Sequence, residues 1–136
     1  MYSMNHPINE KPDWSGYTIL VVEDDYFNFK FLEGWMNRMH ADIIRAESGK
    51  EAVAMCLERN DIHVVLMDLQ LPEMNGCEAM KMIKQHKPDL PVIIVSANAV
   101  YEEQRRSEEA GCDGFITKPI DLKQLMITLN KFLPNR

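Results

Sequence analysis

Ile62-His63-Val64-Val65-Leu66-Met67-Asp68 is a short, almost continuously apolar run that ends abruptly on a carboxylate. A strand exposed on one face alternates apolar with polar residues, whereas unbroken apolarity marks a strand covered on both faces. Two more runs of this kind flank it in sequence, at Thr18–Val22 and at residues 92–95. Two weaker runs, residues 43–46 and 115–117, suit sheet edges. Helix-like segments separate all five, the alternation expected of an α/β fold with a parallel sheet. Three central and two edge strands fit the order 2-1-3-4-5, which right-handed crossovers build readily.

The intervening segments carry helix start signals. Ser48 and Glu51 have capping-box spacing, and Asn75 with Glu78 and Asp121 with Gln124 are close analogues. The last helix has an apolar stripe at Leu122, Leu125, Met126, Leu129, Phe132 and Leu133. The first is expected to bury Phe27, Phe31, Trp35 and Met39 alongside Leu32 and Met36. The fourth is different. Between Tyr101 and Ala110 it reads Glu-Glu-Gln-Arg-Arg-Ser-Glu-Glu, with no apolar stripe, so it is expected to pack loosely and shift easily.

With 136 residues, the chain is long enough for one domain around a single core. We assign residues 17–133 to that domain, 1–16 to an N-terminal tail or linker and 134–136 to a C-terminal tail. Hydrophobic residues at 46% and charged residues at 26% are ordinary for a globular protein. Fifteen basic against 21 acidic residues give a net charge of −6, and no stretch is dense in Lys or Arg. Neither nucleic acid nor an anionic membrane is therefore expected as a direct partner. Cys56, Cys77 and Cys112 are too dispersed for a zinc site or a disulfide frame and fit a reduced, cytoplasmic setting. No apolar run is long enough to span a bilayer. His6, His40, His63 and His86 are scattered and have no ligand-like partners.

Chemistry follows from where the strands stop. The first runs into Glu23-Asp24-Asp25, the third into Asp68, the fourth into Ser96 and the fifth into Lys118-Pro119. In a parallel sheet these ends share one edge, where ligands bind at the reversal of strand order. Clustered carboxylates repel one another, and hard oxygens without His or Cys suit Mg²⁺ or Mn²⁺. A carboxylate nucleophile beside such an ion can take up a phosphoryl group, with Lys118 and Ser96 as further donors to its oxygens. Asp25 is better explained as a helix N-cap than as a ligand.

The segments Ile19-Leu20-Val21-Val22-Glu23-Asp24-Asp25, Val65-Leu66-Met67-Asp68-Leu69-Gln70-Leu71-Pro72-Glu73-Met74-Asn75-Gly76, Pro91-Val92-Ile93-Ile94-Val95-Ser96-Ala97 and Phe115-Ile116-Thr117-Lys118-Pro119 resemble the receiver domain of bacterial two-component response regulators. The resemblance covers the chain from about Tyr17 to Leu133 and implies a flavodoxin-like (βα)5 doubly wound sandwich. It implies that Asp68 is the phosphoacceptor, supplied by a sensor histidine kinase or histidine phosphotransfer protein. It further implies that Asp24, Asp68 and the backbone carbonyl of Gln70 hold Mg²⁺, with Glu23 acting largely through water. Ser96 and Phe115 would be the switch pair, Lys118 would contact the phosphoryl group, and the Lys118–Pro119 bond would be cis. Gln70 and Asn98 occupy positions linked in this family to phosphoryl lifetime.

The function expected is thus a phosphorylation-dependent binding module, not an enzyme with turnover, that switches its helix 4–strand 5–helix 5 surface and acts as a monomer or a phosphorylation-dependent dimer. Two alternatives are a haloacid-dehalogenase-type phosphohydrolase, whose spacing would fall on Glu23 and Asp25, and a scaffold that no longer takes phosphate. No output domain is expected after Arg136. A stand-alone regulator and the receiver of a hybrid sensor kinase are both compatible with these residues.

Overall fold

A computed structural model describes residues 11–97 and 101–134. Among them, strands β1 (Thr18–Val22), β2 (Asp42–Ala46), β3 (Val64–Asp68), β4 (Val92–Ser96) and β5 (Gly114–Thr117) alternate with helices α1 (Tyr26–Asn37), α2 (Gly49–Glu58), α3 (Gly76–His86), α4 (Tyr101–Glu109) and α5 (Leu122–Asn130). The strands pair in parallel in the order β2-β1-β3-β4-β5, the 2-1-3-4-5 order expected of a flavodoxin-like sandwich. The three unbroken apolar runs are the central strands, buried along their whole length. The two weaker runs form the edges.

Pleating splits the core into two layers, because successive residues of a strand face opposite sides. Ile19 and Val21 of β1 join Phe29, Leu32 and Met36 of α1 and Leu125 and Leu129 of α5 in one layer. Leu20 and Val22 join Ala52 and Val53 of α2 and Met80 and Ile83 of α3 in the other. Each layer therefore depends on the alternation in the strands matching the apolar face of the helix above it.

The α5 stripe behaves as its spacing predicts, with Leu125, Leu129 and the following Leu133 fully buried. In α1 the register differs from the sequence expectation. Phe29, Leu32, Met36 and Met39 are buried, while Phe27 is 82% and Phe31 61% exposed. At about 100° per residue, Phe27 and Phe31 lie about 200° around the helix from Phe29, on the solvent side. Apolar residues occupy both sides of α1, so periodicity alone does not select the buried face.

Trp14, within the lead-in, is fully buried. Its backbone N–H donates to the Met39 carbonyl at 2.7 Å, and its indole N–H donates to Asn130 Oδ1 at 2.8 Å. The ring meets Trp35 edge-on, with centroids 6.2 Å apart. Tyr17 donates its hydroxyl to the Pro134 carbonyl at 2.9 Å. The segment before β1 thus closes the ends of α1 and α5. No helix among the described residues is long and apolar enough to cross a membrane.

Candidate functional site

Each side chain singled out at a strand end is positioned by the backbone that follows it. Glu23 extends β1, its N–H donating to the Ala46 carbonyl at 3.1 Å. Asp25 caps α1, accepting from the N–H groups of Phe27 (2.9 Å) and Asn28 (3.1 Å). Its carboxylate is thereby committed to the helix terminus. Of the two acids that a haloacid-dehalogenase-type spacing selects, Glu23 joins Asp24 and Asp68 in the acidic cluster, whereas Asp25 caps α1.

Asp68 is the last residue of β3, and the loop after it folds back tightly. Leu69 donates to the Val95 carbonyl at 2.8 Å, while Gly76 donates to the Leu69 carbonyl at 2.9 Å. A Cβ on residue 76 would lie 2.3 Å from the Asp68 carbonyl oxygen and 2.9 Å from Met67 Cγ. The glycine eight residues after Asp68 is therefore required by its contact with Asp68 itself. Glu73 takes a left-handed backbone conformation at the turn, with φ of 69°. Asn75 and Glu78 then start α3 with a complete capping box. In α2, by contrast, Ser48 accepts from Glu51 N–H, but the Glu51 carboxylate accepts from Glu47.

The sequence-selected groups converge. One carboxylate oxygen each of Glu23, Asp24 and Asp68 lies within 4.8 Å of the others. Lys118 donates to Asp68 Oδ2 at 3.2 Å and lies 3.5 Å from Glu23 Oε1. The other Asp68 oxygen, Oδ1, accepts from the Gln70 N–H at 3.1 Å. The Lys118–Pro119 bond is cis, and Lys118 N–H donates to the Ser96 carbonyl at 2.8 Å.

The electrostatics match the crowding. Burial pushes the Glu23 carboxyl above its usual range; the Asp25 N–H and Lys118 oppose this and the Asp68 charge adds to it. Burial pushes Lys118 downward, but Asp68 and Glu23 outweigh it and hold the ammonium above its usual value. Lys118 thus faces two of the three clustered carboxylates, Glu23 and Asp68. Hard oxygens with uncompensated negative charge, and no nitrogen or sulfur donor among them, fit a divalent ion such as Mg²⁺ or Mn²⁺.

Ser96 is fully buried and its hydroxyl accepts from the Gln70 side-chain N–H at 3.0 Å. The same amide, through Oε1, accepts from Ala97 N–H at 3.0 Å. Phe115 is half-buried against the α2–α3 layer. Asn98 lies outside the described residues. Two contributors escape sequence reasoning: the Gln70 amide, whose bridging role depends on a loop conformation, and Arg45, an edge-strand residue whose contacts cross to the β1–α1 loop.

Comparison with known proteins bears on the family and the fold. Residues 19–130 match the family model described as the response regulator receiver domain. The polar-differentiation response regulator DivK of Brucella ovis is 32% identical over 118 residues, 85% of this chain and 95% of that protein. The receiver domain of the Pseudomonas aeruginosa sensor histidine kinase PA1611, solved with magnesium coordinated in its active-site cleft, superposes with a TM-score of 0.79 at 26% identity, over 88% of this chain and 98% of that one. The receiver domain of Saccharomyces cerevisiae Ssk1, solved with the histidine phosphotransfer protein Ypd1, gives a TM-score of 0.81 at 25% identity, over 91% of each chain.

Proposed function

The chain belongs to the response regulator receiver domain family of two-component signalling, and from that premise we propose that Asp68 accepts a phosphoryl group from a phosphohistidine on a kinase or phosphotransfer protein. The single observation that carries this reading is the convergence on Asp68. Its carboxylate is buried, hydrogen-bonded on both oxygens, and gathered with Glu23, Asp24 and Lys118. In the transfer, an Asp68 oxygen forms a bond to phosphorus as the phosphorus–nitrogen bond to the donor imidazole breaks.

Glu23, Asp24, Asp68 and the backbone carbonyl of Gln70 would hold a divalent cation, Mg²⁺ or Mn²⁺. When bound, that ion supplies positive charge between the attacking carboxylate and the phosphoryl oxygens. Lys118 serves the same end from the Asp68 Oδ2 side. The Ser96 hydroxyl becomes a donor to a phosphoryl oxygen once it leaves Gln70. That movement vacates space for Phe115, and the surface of α4, β5 and α5 changes shape as a population shift between two packings. The protein's own chemistry is gain and loss of the phosphoryl group.

The donor's approach is supported by α1. Phe31 stands exposed at a recess of about 330 Å³ that it borders with Glu23, Asn28, Lys118 and Ile120, and Phe27, one helical turn earlier, is exposed as well. Exposed aromatics rimmed by polar groups mark protein contact sites.

Incubation with Mg²⁺ and acetyl phosphate, followed by intact mass spectrometry, tests the reading. One added phosphoryl group is expected, lost in Asp68→Asn and when the divalent ion is chelated. An unmodified wild-type protein under these conditions sinks it.

A further inference from the structure

We propose that Arg45 is a positioning residue for the divalent-cation site, its guanidinium fixing the backbone that carries Glu23 and Asp24. The inference rests on the cation reading above. Arg45 Nε and Nη2 donate to the Glu23 carbonyl at 3.2 and 3.1 Å, and Nη2 also donates to the Asp24 carbonyl at 3.2 Å. Two consecutive carbonyls are thus gathered by one planar fork, a geometry that a lysine ammonium cannot reproduce.

The fork is itself held. The guanidinium lies 5.5 Å from the Tyr26 ring centroid and 5.2 Å from that of Phe29, and Nη1 is 3.9 Å from Glu47 Oε2. Only 18% of the side chain is exposed. Aromatic faces within about 6 Å attract a guanidinium and restrict its rotamers. The loop is then pinned at three successive points: Glu23 N–H on the Ala46 carbonyl, the Glu23 and Asp24 carbonyls on Arg45, and Asp25 as the α1 cap. Of the three acidic ligand candidates, Asp24 is the exposed one. Its carboxylate has the most freedom to lose when the backbone beneath it is fixed.

Positioning and simple charge predict opposite signs. A cation near the site repels an incoming divalent ion, so removing only its charge strengthens binding. Removing a group that orients ligands weakens it, typically by about ten- to a hundredfold. Mn²⁺ affinity is measured by titration calorimetry on the whole chain for wild type, Arg45→Gln, Arg45→Lys and Asp24→Asn, with thermal melts in the absence of metal confirming that each is folded.

Weakening by about ten- to a hundredfold is expected in both Arg45 variants, Arg45→Lys included although its charge is kept. Unchanged or tighter binding in Arg45→Gln overturns the proposal. If Arg45→Gln does not fold, Arg45→Lys, which keeps the charge and an aliphatic stem, decides alone: wild-type affinity in it overturns the proposal. Wild-type binding that is lost in Asp24→Asn but kept in the Arg45 variants defeats the positioning role and leaves the cation site standing. A wild type that binds no Mn²⁺ defeats both.

Discussion

Helices α4 and α5 follow the last two strands of one sheet, yet they are held by different forces. In α5, Leu125 and Leu129 are fully buried and Leu133 closes the stripe behind them. In α4 only Ser107 is buried, and the helix surface carries Arg105 paired with Glu102 and Glu109 at 2.6 Å each. Apolar burial is worth kilocalories per side chain, whereas exposed ion pairs contribute tenths. One helix is thus fastened by apolar burial and its neighbour is not. The less firmly fastened helix, α4, follows the strand ending in Ser96.

The contrast yields graded expectations. Truncating Leu129 to Ala removes a fully buried side chain and is expected to cost about 2–5 kcal/mol in denaturant unfolding. A loss under 1 kcal/mol would mean that α5 is not the anchored partner.

Glu23→Gln probes the crevice in the other direction. Burial raises the Glu23 carboxyl, so the native state disfavours its ionised form. The protonated form's contribution is full below the unfolded carboxyl's value and is lost as pH rises through the raised one. Glu23→Gln is therefore expected to melt higher than wild type at pH 7 without divalent ions, with the gain vanishing at strongly acidic pH. A variant that melts lower at pH 7 would show that ionised Glu23 stabilises the fold.

Gln70→Ala removes the amide that joins Ser96 and Ala97 to the β3–α3 loop. About 0.5–1.5 kcal/mol of local stability per hydrogen bond is expected to disappear. It is read as faster amide exchange at Ala97 and in α4 with α5 unaffected, and equal acceleration in both helices would erase the distinction between them. Smallest is Arg105→Ala, expected to change global stability by less than about 0.5 kcal/mol because its two partners are exposed. Its effect on α4 exchange is expected to fade in molar salt.

The same contrast explains what could be read without coordinates. Buried strands and the α5 stripe are statements about period, and period survives into three dimensions wherever apolar residues fall on one face. Strand termini are equally legible, so Glu23, Asp24, Asp68, Ser96 and Lys118 could be gathered from topology alone. In α1 the apolar residues encircle the helix, and only packing selects Phe29 over Phe27 and Phe31. Arg45 and Gln70 act through side-chain reach across loops, for which no spacing rule exists. Gly76 closes one of the segments that carry the family resemblance, but the reason for a glycine there, a carbonyl 2.3 Å from where a Cβ would sit, is purely spatial.

The docking of Trp14 has a practical consequence. Both tryptophans of the chain, Trp14 and Trp35, lie together where α1 and α5 end, on the edge of the parallel sheet opposite the acidic crevice. The intrinsic ultraviolet emission of the protein therefore reports on closure of the N-terminal segment over the helix ends. Quenching by a paramagnetic ion bound at Asp68 would reach it only across the thickness of the domain, so an optical titration of the crevice calls for a fluorophore placed there deliberately, with Trp14 and Trp35 left as an internal standard of foldedness.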